Sequence, residues 1–170
     1  MAFFSSVLGL HETEKTMVPA YLSQSSNLQG RIRLHVTGTV QDSVLREKIA
    51  LRLGFGILKK LQGKKQSVVK TIHSDDAAGS EREVSDIIKS GRWKLVRPGL
   101  EINLGDYQRY LNDRLSPILH EPERPWDKQQ EPVYTELTTR LMQSEGLSSS
   151  DHELIPELPG IYVFYHDRLP

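Results

Sequence analysis

The chain contains no cysteine in 170 residues. That excludes a disulfide framework, a cysteine-based zinc site and a thiol nucleophile. It also fits a reducing compartment. None of Asn27, Asn103 and Asn112 is followed by the Ser/Thr of a glycosylation acceptor, so a secreted glycoprotein is not expected. No apolar run approaches the roughly 18–20 residues that a membrane-spanning helix needs. The stretch from Met1 to Leu10 is apolar but short and lacks a basic leader, so neither a transmembrane segment nor a signal peptide is expected. Ala2 stands where myristoylation would need Gly.

Enzymatic signatures are missing too. His11-Glu12 lacks the second His of a zinc-protease helix. Gly54-Phe-Gly-Ile-Leu-Lys59 has Lys where a dinucleotide fingerprint has its third Gly, and it lacks the Gly-Lys-Ser/Thr of a phosphate loop. His35, His73, His120, His152 and His166 fall at separations that match no metal-ligand spacing. Asp75-Asp76 beside His73 reads most simply as a solvated acidic loop, and Ser144 to Ser150 holds no nucleophile elbow. The reading is a non-enzymatic protein with no cofactor and no metal.

Net charge is absent as well: 22 basic residues balance 22 acidic ones. The balance hides a segregation. Residues 31–70 hold ten Lys/Arg against Asp42 and Glu47, a local excess of +8, and residues 71–170 carry −7. Such a block attracts phosphate-rich partners even on a neutral molecule. Lys59, Lys60, Lys64, Lys65 and Lys70 fall within twelve residues, and Arg31, Arg33, Arg46 and Arg52 precede them. Together they form the candidate polyanion-binding set, for RNA or anionic lipid, because Lys and Arg neutralise phosphate with little sequence choice. The competing reading is a solvated Lys-rich turn.

The length suits one domain, and 37% apolar with 26% charged residues suits a globular one. Residues 1–29, rich in Ser beyond Leu10, read as a flexible N-terminal arm, followed by one domain over 30–170. Ile32, Leu34, Val36 and Val40 alternate with polar residues and predict a strand over 30–40, with Arg31 and Arg33 on one face. Helices are predicted over 43–53, 81–89, 107–118 and 133–142, and a break or short turn over 57–62. Strands are predicted over 68–72, 92–97 and 160–165, with 100–104 as a hairpin partner after Pro98-Gly99. The Pro-rich stretch 121–132 reads as an exposed loop. Strands and helices mix without a βαβ rhythm, so the expected class is α+β: a mostly antiparallel sheet packed with two to four helices.

Two further features bear on partners. Phe3, Phe4, Val7, Leu8 and Leu10 form a short apolar face, read as a contact with membrane or a partner, or as one that docks on the protein's own core. Trp126 has little local apolar cover. It either tucks into its own domain or anchors self-association, aided by an acidic surrounding stretch that could meet a neighbour's basic face.

The opening Phe4-Ser-Ser-Val-Leu-Gly-Leu10, an arm, an Arg-bearing segment at 31–40, a helix and a Lys-rich segment at 57–70 occur in an order that resembles small rhabdovirus matrix proteins of the plant-infecting, cytorhabdovirus-like type. The resemblance implies a virion structural protein. Such a protein self-associates, condenses the viral ribonucleoprotein and links it to membrane and glycoprotein tails, in virions and host cytoplasm, with peripheral membrane association. Two departures stand out. His11-Glu-Thr-Glu-Lys15 is not basic as in animal-virus relatives, and no Pro-Pro-x-Tyr motif is present. Both shift the expected anion contact to residues 59–70. The alternative from a different class is a small viral accessory protein that binds RNA, such as a silencing suppressor.

Overall fold

The computed structural model describes residues 17–63, 66–119, 125–167 and 169. Its elements are β1 (Val18–Ser25), α1 (Leu28–Thr37), α2 (Val44–Arg52), β2 (Gly56–Gln62), β3 (Ser67–His73), α3 (Ala77–Ser90), β4 (Arg92–Val96), α4 (Leu104–Leu115), α5 (Glu131–Gln143), β5 (Leu147–Ser148) and β6 (Gly160–His166). The class is α+β, as expected, with antiparallel sheets throughout the described residues. Among the described residues it has five α-helices where two to four were expected.

The principal sheet has the order β1-β6-β4-β5. All seven residues of β6, Gly-Ile-Tyr-Val-Phe-Tyr-His, are buried. A strand that is apolar on both faces needs cover on both. Tyr162 and Phe164 face a core built from α1, α2 and α3 with Leu28, Ile32, Leu45, Ile49, Val84 and Ile88. Ile161, Val163 and Tyr165 face a second core with Tyr107, Tyr110, Leu111, Tyr134, Leu137 and Leu141 of α4 and α5. The result is three layers, with the sheet in the middle.

The largest correction concerns residues 18–40. Residues 18–25 are not arm but strand, hydrogen-bonded to β6 with Val18 opposite His166 and Ser25 opposite Gly160, and with a bulge between Pro19 and Tyr21. Their buried Ala20, Tyr21 and Leu22 outweigh the local Ser content. Residues 28–37 are helix, not strand. The buried positions are Leu28, Ile32, His35 and Val36, which follow helical spacing, and Leu34 points to solvent. Asn27 caps this helix, its Oδ1 accepting from Gly30 N at 2.8 Å.

Three smaller differences have local causes. Gly54, at φ +86, ends α2 in a left-handed conformation, so Ile57 and Leu61 continue into strand β2 and not into a helical turn. The expected hairpin partner at 100–104 is a turn, closed by Ile102 N to Gly99 O at 3.1 Å, and Asn103 then caps α4. Asp76 caps α3, its Oδ1 accepting from Gly79 N at 2.8 Å, which starts that helix four residues before its expected beginning at 81. No helix among the described residues is long and apolar enough to cross a membrane.

Gly91 links α3 to β4 where a side chain would not fit. A Cβ there would lie 2.1 Å from the Phe164 ring and 2.8 Å from Tyr165 O. Gly91→Ala is expected to cost about 1–3 kcal/mol by overpacking against the buried central strand. Gly99→Ala, whose Cβ would meet only the far end of Glu101, should stay within about 0.5 kcal/mol. Urea denaturation of both variants checks the contrast.

A basic hairpin as candidate polyanion interface

β2 and β3 form a separate two-stranded sheet, paired from Gly56 opposite His73 to Gln62 opposite Ser67. Directly opposed residues share a face. Ile57, Lys59 and Leu61 therefore lie with Val68, Lys70 and Ile72, and Leu58, Lys60 and Gln62 lie with Ser67, Val69 and Thr71.

The base of the hairpin is anchored. Ile72 is buried in the first core and Ile57 packs against it. Glu47 of α2 sits between two lysines, 2.6 Å from Lys70 Nζ and 3.5 Å from Lys59 Nζ. Burial pushes the Glu47 carboxyl up, but the Lys70 hydrogen bond and the two ammonium charges win, and it is held below the usual carboxylate range. Gln41 clamps the free edge of β3: its Oε1 accepts from Lys70 N at 2.6 Å and its Nε2 donates to Val68 O at 3.3 Å. A side-chain amide thus takes the place of another strand's backbone at that edge.

Beyond the Lys59–Lys70 pair the hairpin runs on for about 10 Å at strand rise. Here Lys60 is exposed, Leu61 is 67% exposed and Val68 is 47% exposed. Leu58 is exposed on the opposite face. The turn uses Gly63 at φ +76 and Gln66 at φ +49. Lys64 and Lys65, between them in sequence, lie outside the described residues.

The other proposed basic residues separate into distinct environments. Arg31 and Arg33 are exposed, but two positions apart on a helix they point in different directions and share no face. Their helix packs on β1, β6 and α3, whereas the hairpin packs on α2 and α3. Arg52 is exposed in the last turn of α2. Arg46 leaves the candidate set. It is 1% exposed, and its guanidinium donates to His35 O, Glu81 O, Glu81 Oε2 and Ser85 Oγ at 2.6–3.1 Å. A buried cation whose two terminal nitrogens are both engaged, with Nε alone left without a hydrogen bond, serves the packing of α1, α2 and α3.

Of the two readings of Trp126, tucked into its own domain or anchoring self-association, the structure has the first: it is 7% exposed and belongs to the second core. Its ring meets Tyr110 edge-on at 4.8 Å, its Nε1 donates to Asp113 Oδ2 at 3.1 Å, and Lys128 Nζ sits 3.6 Å over its face. In the described part of the Pro-rich stretch, 125–132, only Trp126 is buried. Pro125, Asp127, Lys128, Gln129 and Pro132 are exposed as expected, but Lys128–Gln130 form a 3-10 turn and Glu131 and Pro132 open α5. Phe3, Phe4, Val7, Leu8 and Leu10 lie outside the described residues.

Sequence reasoning passed over one polar cluster. His35, on α1, is 1% exposed and bonds Ser43 Oγ through Nδ1 at 2.5 Å and the Tyr162 hydroxyl through Nε2 at 2.6 Å. Its ring lies parallel to that of Trp93 at 5.8 Å. Burial, then the charges of Arg31 and Arg46, push its pKa down to about 3. Ser43 is itself buried and caps α2, accepting from Arg46 N at 3.1 Å. The cluster ties α1, α2 and β6 together. Its signal in the sequence was His35 at helical spacing from Leu28 and Ile32, hidden by the strand assignment. Among the described residues no group of His, Asp and Glu is arranged to hold a metal ion.

No protein-family model, no curated protein and no solved structure matches this chain.

Two measurements follow from this geometry. Neutral His35 contributes stability that is complete above its unfolded pKa near 6.5 and is lost as pH falls toward 3, at up to about 1.4 kcal/mol per pH unit. Burial lowers His166 as well, which acts in the same direction. Urea midpoints should fall between pH 7 and 5, and His35→Gln should flatten that fall while lowering stability at pH 7. Trp126→Ala should cost about 3–5 kcal/mol of stability. It should leave the sedimentation coefficient of the folded protein unchanged, which an interface anchor would not.

Proposed function

We propose that this chain is a non-enzymatic structural protein of matrix type, which uses the β2–β3 hairpin to hold a polyanionic surface during virion assembly. The observation that carries the proposal is the composition of the part of the hairpin that stands clear of the body. Lys60 is exposed there beside Leu61 and Val68, and Leu58 is exposed where it begins, as is Lys59, which Glu47 tethers to α2. A lysine turn that only needed solvation would gain nothing from leucine and valine there. At a membrane surface those side chains enter the headgroup boundary while each ammonium gains about 1 kcal/mol from anionic lipid. Lysine, a point charge, suits phosphate of any sequence, so the same hairpin serves lipid and ribonucleoprotein alike.

Glu47 limits the charge on offer. It offsets Lys59 and Lys70 at the base, so the positive charge is concentrated toward the tip. The acidic residues of 71–170 then supply the complementary surface for head-to-tail self-association with a neighbouring copy.

Flotation with neutral and phosphatidylserine-containing vesicles, run beside a salt titration of RNA binding, tests the proposal. The wild-type chain should float with the anionic vesicles, and Lys59→Glu/Lys60→Glu should abolish flotation and flatten the salt dependence of RNA binding. Leu61→Ser/Val68→Ser should weaken flotation at least about tenfold and leave RNA affinity within about twofold, since only the lipid contact uses apolar area. RNA binding with no flotation would favour the accessory RNA-binding protein. Binding to either partner that survives the double charge reversal would remove the hairpin from the mechanism.

A further inference from the structure

The two edges of the β2–β3 hairpin are treated differently. At the edge of β3, Gln41 engages Lys70 N at 2.6 Å and Val68 O at 3.3 Å. Those groups therefore point away from β2. The opposed pairs Lys59–Lys70 and Leu61–Val68 are then the ones that exchange no backbone hydrogen bonds. It follows that the N–H and C=O of Lys59 and of Leu61 point outward along the edge of β2. No described residue hydrogen-bonds them. β2 is exposed at every residue except the half-buried Ile57. Glu47 reaches both Lys59 and Lys70, so α2 meets the hairpin over the face those two share.

We propose that the edge of β2 takes an extended partner segment as an added strand, one that alternates apolar and acidic residues. Main-chain bonds to Lys59 and Leu61 hold such a strand, and the two faces of the hairpin select its side chains. One face carries Ile57, Lys59 and Leu61. Glu47 already offsets Lys59 there, and Leu61 is 67% exposed, so this face takes apolar neighbours. The other face carries Leu58, Lys60 and Gln62. Lys60 is exposed and has no ion pair among the described residues, so this face takes the acidic ones.

Charge also decides against a second copy as the occupant. Antiparallel pairing of β2 with its own copy sets lysine near lysine, and like charges opposed across strands destabilise the pair. The lysines that keep copies apart at this open edge thus attract an acidic strand. The inference goes beyond the binding of lipid or RNA, which uses the side chains of the hairpin and leaves its backbone idle.

Fluorescence anisotropy of a labelled peptide alternating Val with Glu, added to the full chain, tests the proposal beside a Val/Lys counterpart. The Val/Glu peptide should bind, and the Val/Lys peptide should bind at least about tenfold more weakly. Hydrogen exchange read by NMR should show the Lys59 and Leu61 amides slowed at least about tenfold by the bound Val/Glu peptide. Leu58 and Lys60, whose amides already bond β3, should change little. Leu61→Pro removes one outward N–H and spares the β2–β3 ladder. It should weaken Val/Glu binding at least about tenfold relative to Leu61→Ser. Both variants should weaken vesicle flotation alike, because lipid contact uses only the side chain. The exchange measurement needs no substitution, so it stands even if proline unsettles the hairpin. No binding of the Val/Glu peptide, equal binding of the two peptides, equal affinity of the two variants, or unchanged exchange at Lys59 and Leu61 would each overturn the proposal. So would protection of those amides that rises with protein concentration alone, which would make the occupant a second copy.

Discussion

The fold depends on one strand that has no polar face. β6 is buried along its whole length, so water cannot satisfy either side, and every layer is a response to that. On one side the aromatic rings of Tyr162 and Phe164 meet Trp93 at 5.9 Å and 4.8 Å. On the other, Tyr165 and its aliphatic neighbours meet a tyrosine-rich layer in which Tyr107 and Tyr134 lie 5.1 Å apart. The backbone groups of β6 are shared between β1 and β4. Hydroxyls buried in this way need partners, and they have them. Tyr162 uses His35, and Tyr134 uses Asp106 at 2.8 Å. Burial pushes Asp106 up, but the Asp127 N–H, Arg109 and Tyr134 together hold it below the usual carboxylate range.

The same logic sorts the charges. Arginine at position 46 and glutamate at position 81 are consumed inside, as a pair at 2.9 Å that joins α2 to α3. Glu47, one residue on, turns outward and fixes the hairpin. Adjacent residues on one helix thus divide the work of holding the first layer together and aiming the second sheet. The charge of residues 31–70 that stays exposed is therefore less than the +8 of the sequence, and it is divided between Arg31 and Arg33 on α1, Arg52 on α2 and the lysines of β2.

How much of this could be read in advance follows from which signals were local. α2 was legible because Ser43 caps it and Leu45, Ile49 and Leu53 repeat with helical period. β3, β4 and β6 were legible as short runs of β-branched and aromatic residues. β1 was not, because its pairing with a strand some 140 residues later leaves no trace in its own polar sequence. α1 was misread because Ile32, Leu34 and Val36 satisfy a period of two as well as a helix does, and the deciding residue, Leu28, lay outside the alternating run. At the site, the lysines of the hairpin were visible in composition. The burial of Arg46 was not, because it is decided by Glu81, far along the chain. The burial of Trp126 was only one of two open readings until Tyr110 and Asp113 are placed beside it.

The pairing of β1 with β6 also sets a timetable. As the chain lengthens from its N-terminus, β1 and β4 stand for most of that time without the strand that lies between them, since β5 covers only Arg92 and Trp93. The two cores cannot close until residues 160–166 exist to separate them. Local pieces such as the β2–β3 hairpin and the capped α3 can form early, but the sheet that unites them is dominated by contacts of long sequence separation, the kind that slows folding most. The unpaired edge of β4, with Trp93 and Leu95, is then the surface that a nascent chain must keep from other chains until its last strand arrives.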